Sequence, residues 1–261
     1  MKQAGTLARV RIAPGDRTRR SPLLGLLYAW SGIGIMWAFW VSFVIFLSSP
    51  RAVTSWWPLP TVNDGGWTET VLGAAALDVM LIALFGLQHS LMARPWVKSW
   101  WAAHVPPAFE RCTFVHMANL ALFALIIFWQ PIPIVLWHVT TDVLRDLIWA
   151  VFALGWVILY AGGWSFGMSD LLGLNQMRRW AQGLPPREPG LKTSQLYKWI
   201  RHPMYVGVLM GVWVTPTMTL GQAVLAIGFT VYVLIAMRYE ERDLARRFGT
   251  PYERWRAQTP A

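Results

Sequence analysis

From Leu23 to Leu47 the chain runs 25 residues without an Asp, Glu, Lys, Arg or His. At about 1.5 Å per residue, a helix of that length crosses a hydrocarbon layer of roughly 30 Å with some tilt. No water-soluble core needs so long an uncharged run, and the apolar core of a secretory signal is shorter. Arg19-Arg20 stands just ahead of it, but Ser21-Pro22 follows and no small-residue cleavage site comes after, so the segment is expected to be a retained anchor.

Further apolar segments are expected at Val71 to Met92, Thr113 to Trp129, Leu147 to Phe166, Met204 to Met218 and Leu220 to Met237. Many of the 18 tryptophans, among them Trp56, Trp57, Trp96, Trp100, Trp101, Trp137, Trp180 and Trp199, lie where an apolar stretch meets a polar one, as in an interfacial belt. The fifth segment is short and holds Thr215-Pro216, where a helix kinks or stops, so it and the sixth form either two spans or a re-entrant hairpin.

Basic residues set the orientation, because Lys and Arg resist translocation. Of 23, 21 fall in the N-terminal tail, the second and fourth loops and the C-terminal tail, leaving Arg51 and Arg145 for the other side. The expected architecture is an all-α, polytopic transmembrane helix bundle of five to six spans in a bacterial inner membrane. Its last two spans form a helical hairpin, and both termini are cytoplasmic. It divides into a basic tail (1–22), a four-span region (23–166) and a loop, hairpin and tail unit (167–261). The net charge of +10 flanks spans and forms no separate basic domain, which points to anionic lipid and away from nucleic acid. Cys112 is the only cysteine, excluding an intrachain disulfide and a multi-cysteine metal site, and His89, His116 and His138 lack a haem-binding spacing.

Three groups of residues could carry chemistry. In Y-K-W-I-R-H-P-M-Y-V-G, Tyr197 to Gly207, Pro203 suits a helix start, which puts His202 at its mouth. Arg201 beside the helix's free N–H groups makes a clamp for a carboxylate or phosphate, unless the segment is only an interfacial anchor. Glu240-Glu241, with Phe248, Gly249 and Tyr252 beyond, follows the sixth segment. The pair suits a ribose diol, an amine or a sulfonium, or else forms a solvated helix end with its many arginines. A hairpin joins these two groups, so His202 and Glu241 should be neighbours. The third group is Gln88-His89-Ser90 at the end of the second span, with Asp78 deeper in it as either an intramembrane functional acid or a structural hydrogen-bond acceptor.

R-H-P-M-Y-V-G (Arg201 to Gly207), E-E-R-D-L (Glu240 to Leu244) and F-G-x-x-Y (Phe248 to Tyr252) together resemble the isoprenylcysteine carboxyl methyltransferase superfamily of membrane methyltransferases. Q-H-S-L-M-A-R-P (Gln88 to Pro95), V-P-P-A-F-E-R (Val105 to Arg111), D-L-L-G-L-N-Q (Asp170 to Gln176) and W-V-T-P-T-M-T (Trp213 to Thr219) resemble its bacterial methanethiol S-methyltransferases. The likeness runs from about Leu72 onward.

The resemblance implies S-adenosylmethionine as methyl donor, methanethiol as acceptor and dimethyl sulfide as product, with no metal and no obligate protein partner. It places the cofactor on Arg201, His202, Pro203, Tyr205, Glu240, Glu241 and Tyr252. The acceptor thiol then needs a base or a positive field, for which His89 and His202 are candidates, with Asp78 a third. Other possibilities are an NADPH-dependent lipid reductase of the same superfamily, an NnrU-like membrane protein without methyl transfer, and a transport or scaffold protein with no cofactor pocket.

Overall fold

A computed structural model describes residues 22–54, 56–187 and 190–261. The basic tail expected over 1–22 therefore lies outside the described residues, apart from Pro22. Pro22 opens helix α1 (Pro22–Ser48), with the φ that proline pre-sets for a first turn. A short α2 (Arg51–Thr54) precedes α3 (Val71–Met92), whose first turn is capped by the Thr70 side chain accepting from the Gly73 N–H at 3.1 Å. Prolines also start α4 (Pro95–Ala102) and α5 (Pro107–Phe128). Strand β1 (Val135–His138) lies in the connection to α6 (Asp142–Phe166).

After α6, Gly167 takes a left-handed φ of 105° and turns the chain into α7 (Met168–Leu171) and α8 (Leu174–Ala181). A 3-10 turn at Gln195–Lys198 leads to α9 (Pro203–Trp213), β2 (Thr217–Thr219), α10 (Leu220–Phe248) and α11 (Thr250–Gln258).

Helices α1, α3, α5, α6 and α10 are each long and apolar enough to cross a membrane, and at most 44% of any of their apolar windows is buried. Leu72, Val157 and Ile227 are among the large side chains left uncovered, so the outer faces are suited to lipid. The chain is a multi-pass membrane protein. Its interior is filled by rings stacked across helices: Phe43 packs on Phe229 at 5.9 Å between centroids, and Phe229 on Phe85 at the same distance.

The expected fifth span is different from a plain helix. α9 ends at Trp213 instead of Met218, and its 11 residues rise about 16 Å, half a bilayer. The residue before Pro216 is disfavoured in helical geometry and the proline brings no N–H, so the chain extends here. The exposed backbone groups are satisfied by an antiparallel ribbon, with β2 pairing to β1 and the Val139 N–H donated to the Pro216 carbonyl at 2.9 Å. The hairpin tip thus reaches the same end of the bundle as the α5–α6 connection.

α9 is held tightest to α6. A Cβ on Gly207 would come within 2.6 Å of the Gly155 carbonyl oxygen, and one on Gly155 within 2.7 Å of the Met210 Cβ. Only glycine lets the two backbones meet, as small residues do at helix interfaces in lipid. α10 packs on both α9 and α3, while α8 lies across α1 and α5 at the end opposite the ribbon. That opposite end collects the basic loops.

Candidate functional site

The R-H-P segment meets the double glutamate at this basic end, as the hairpin requires. Pro203 starts α9, and His202 just before it has φ −128° and ψ 57°, outside the helix. The 11-residue α9 and the extended segment 214–219 together carry the chain up to the ribbon, and α10 returns over 20 residues to Glu240, so the start of α9 and Glu240 are brought level.

Glu241 is the centre of the cluster. Its Oε1 accepts from Arg201 Nη1 and from the His202 Nε2–H at 3.1 Å, and its Oε2 lies 3.5 Å from Arg256 Nη2. The side chains of Arg201 and Glu241 are 12% and 16% exposed, so this pair is largely withdrawn from water and unscreened. Glu240 is 43% exposed; its Oε2 accepts from the Tyr205 hydroxyl at 2.8 Å and lies 3.7 Å from His202 Nδ1. The His202 and Tyr205 rings are near parallel, 19° apart, with centroids at 5.4 Å.

The two adjacent carboxylates therefore have different tasks. Glu241 is saturated by three positively charged or N–H groups and ties α10 to the R-H-P turn. Glu240 keeps a free face toward solvent and is the carboxylate open to a cationic ligand. Arg201 retains a buried Nε without a partner among the described residues. Its Nη1 is the counter-ion of Glu241.

The C-terminal segment closes the back of the cluster. Tyr252 is fully buried on α11 and packs against Trp255, whose indole N–H donates to the Tyr197 carbonyl at 3.1 Å. The Tyr252 hydroxyl lies beside Arg201 but outside hydrogen-bond geometry. Burial and then the Glu241 charge push this phenol above its ordinary value. The Arg201 N–H is held by the Pro260 carbonyl at 2.9 Å.

His89 sits apart from the cluster, in an aromatic cage between α3, α5 and α10. Its ring centroid is 4.6 Å from that of Phe114, 5.4 Å from Phe85 and 6.2 Å from Tyr232, and its Nδ1 is buried without a partner among the described residues. Arg111 connects the two regions: its guanidinium lies over the Phe114 ring at 5.2 Å, its Nε donates to the Leu171 carbonyl at 2.7 Å, and both His89 and Glu240 are within its electrostatic reach. Tyr197, Tyr205 and Tyr232 line the same tract, each within reach of Glu240.

Asp78 is not part of this site. It lies 11 residues before His89 on α3, about 16 Å away along the axis toward the ribbon end. There it is fully buried, and its Oδ1 accepts from the Gln130 N–H at 2.8 Å, fixing the chain reversal after α5. As a hydrogen-bond acceptor it holds Gln130, while its Oδ2 is buried without a partner among the described residues.

Arg111, Arg256 and Tyr232 were not singled out from the sequence. Arg111 read as a loop residue because the third span was expected to begin at Thr113, whereas α5 starts at Pro107. Arg256 is one of many tail arginines, and no local pattern marks it.

No protein-family model matches the chain, and no solved structure matches it. Among curated proteins it is 38% identical over 200 residues to the methanethiol S-methyltransferase of Mycobacterium tuberculosis, covering 77% of this chain and 82% of that protein. It is 39% identical over 203 residues to methanethiol S-methyltransferase 2 of Bradyrhizobium diazoefficiens, covering 77% and 78%. A more distant likeness, 30% over 192 residues, is to Nurim of Xenopus laevis, covering 69% and 67%. With these identities over most of both chains, and the R-H-P turn and double glutamate joined in one cluster, the chain belongs to the methanethiol S-methyltransferase family.

Proposed function

We propose that this protein transfers a methyl group from S-adenosylmethionine to methanethiol, giving dimethyl sulfide, from the cytoplasmic face of a bacterial inner membrane with both termini on that side. The observation that carries this reading is the identity of 38% over four fifths of a methanethiol S-methyltransferase. The charge distribution supports the orientation, since the site lies at the end that collects the basic loops.

The residues present fit the cofactor's chemistry. A half-exposed carboxylate, Glu240, suits a positive charge, an aromatic hydroxyl aligns it, and the unpartnered Arg201 Nε offers a donor at the same place. Glu240, Tyr205 and Arg201 offer the holding surface, backed by His202, Pro203, Glu241 and the buried Tyr252. When bound, S-adenosylmethionine supplies a methyl on a positively charged sulfur, which is already activated for displacement and needs no metal.

The chain's own task is to present the acceptor sulfur in line and as an anion. The cage of Phe85, Phe114 and Tyr232 is apolar enough to hold a small alkyl thiol, and such a thiol partitions readily into the bilayer beside it. His89 Nδ1 has no partner among the described residues and, in the tautomer that leaves it unprotonated, is suited to take the S–H proton as the new S–C bond forms and the methyl–sulfonium bond breaks to release S-adenosylhomocysteine. Arg111 contributes a positive field that favours the thiolate. His202 has its Nε2–H committed to Glu241, so it orients the carboxylates; His89 is the better base.

Titration calorimetry of the detergent-solubilised protein with S-adenosylmethionine tests the pocket. Saturable binding in the parent, weakened in Glu240→Gln, supports the reading. Absence of binding removes it and leaves a membrane protein without a methyl donor, as for an NnrU-like or scaffold protein.

A further inference from the structure

The connection between α6 and α9 encloses a polar cleft of about 490 Å³ that shares no residue with the Arg201–Glu241 cluster. Its walls include Arg178, Arg179, Arg187 and Lys192, with Asp170 and Gln176 among them. Among the described residues its lining holds four cations and one carboxylate, and that carboxylate is engaged, its Oδ1 accepting from Asn175 Nδ2 at 2.7 Å. An anion is therefore favoured. Gln176 adds a second requirement: its Nε2 donates to the Asp170 carbonyl at 3.2 Å, but its Oε1 is buried with no donor among the described residues. A buried acceptor left empty is costly, so the occupant should bring a hydroxyl or N–H as well as a negative charge.

The position of the cleft indicates where such a molecule comes from. Arg178, one wall of it, reaches over the ring of Trp30, 5.9 Å from its centroid, and Trp30 is half exposed on the lipid-facing flank of α1. Trp180, on the same short helix as Arg178, packs against Phe109 beside Gly25 near the start of α1. The cleft thus adjoins an apolar flank on which acyl chains can lie.

We propose that this cleft binds the headgroup of an anionic glycerophospholipid, of which phosphatidylglycerol is the simplest: phosphate on the arginines and lysine, glycerol hydroxyl on Gln176 Oε1. A soluble phosphate ester carries the same phosphate and hydroxyl; Trp30 and the α1 flank favour a lipid. The site is independent of the methyl-transfer reading.

The test is native mass spectrometry of the full chain released from mixed micelles of phosphatidylglycerol and phosphatidylcholine. Parent protein, R178Q/R179Q and the control R246Q/R254Q, which removes the same charge at exposed positions outside the cleft, are compared. The parent retains phosphatidylglycerol preferentially, each arginine removed from the cleft weakens retention about five-fold, and the control stays near the parent. Equal loss in the control would overturn the proposal by showing a diffuse basic field. Displacement of the lipid by millimolar glycerol phosphate would overturn the lipid assignment. Loss of S-adenosylmethionine binding in R178Q/R179Q, measured by calorimetry, would reassign the cleft to the cofactor and also count against it. Circular dichroism melts confirm that both double variants fold.

Discussion

Replacing Glu241 by Gln keeps its volume and removes the charge that Arg201, His202 and Arg256 share. Arg201 then stays 12% exposed without its counter-ion. Removing one partner of a buried pair costs about 3 kcal/mol, because the remaining charge is left desolvated. The site relaxes to recover that cost, with Arg201 swinging out and the R-H-P turn loosening, so S-adenosylmethionine should bind roughly 150-fold more weakly at 1.4 kcal/mol per tenfold. Arg201→Gln should cost a similar amount for the complementary reason. The double variant leaves no unpaired charge and should lose little more than either single, a coupling of several kcal/mol in the cycle. Calorimetry on the three variants and the parent measures this. Additive losses, about four orders of magnitude in the double, would refute the claim that Glu241 acts through Arg201.

Arg111→Met removes the positive field beside the thiol cage, so the acceptor's pKa rises; methyl transfer at neutral pH should fall at least ten-fold and recover as the pH is raised, read from a rate–pH profile. Asp78→Ala should leave turnover near the parent's while lowering the thermal midpoint in detergent, because the buried Gln130 N–H loses its acceptor at a cost of about 1–3 kcal/mol. Gly207→Ala should destabilise by about 1–3 kcal/mol in the same melts, since its Cβ meets the Gly155 carbonyl at 2.6 Å and backbone has to move. A reporter fused after Ala261 should be active only as a cytoplasmic fusion, and periplasmic activity would reverse the proposed orientation.

The long spans were legible because uncharged length is a signal independent of tertiary context: Val71–Met92 is the helix read from the sequence. The juxtaposition of His202 and Glu241 was legible too, since any hairpin returns its ends to one place. The start of α5 was not, because Pro107, Glu110 and Arg111 look like loop chemistry until the fold ties Arg111 to the Leu171 carbonyl. The ribbon also escaped notice. Thr217–Thr219 becomes a strand only because β1, some 80 residues earlier, supplies the partner its backbone needs. Likewise the division of labour between Glu240 and Glu241 depends on Arg256 and Tyr205, which no local pattern links to one glutamate over the other.

Headspace gas chromatography on the solubilised protein given S-adenosylmethionine and methanethiol tests the central claim most directly, with His89→Ala and Glu241→Ala alongside. The account predicts dimethyl sulfide from the parent and at least a hundred-fold less from each variant. No dimethyl sulfide from folded parent protein would contradict it, and parent-level product from His89→Ala would contradict the base assignment.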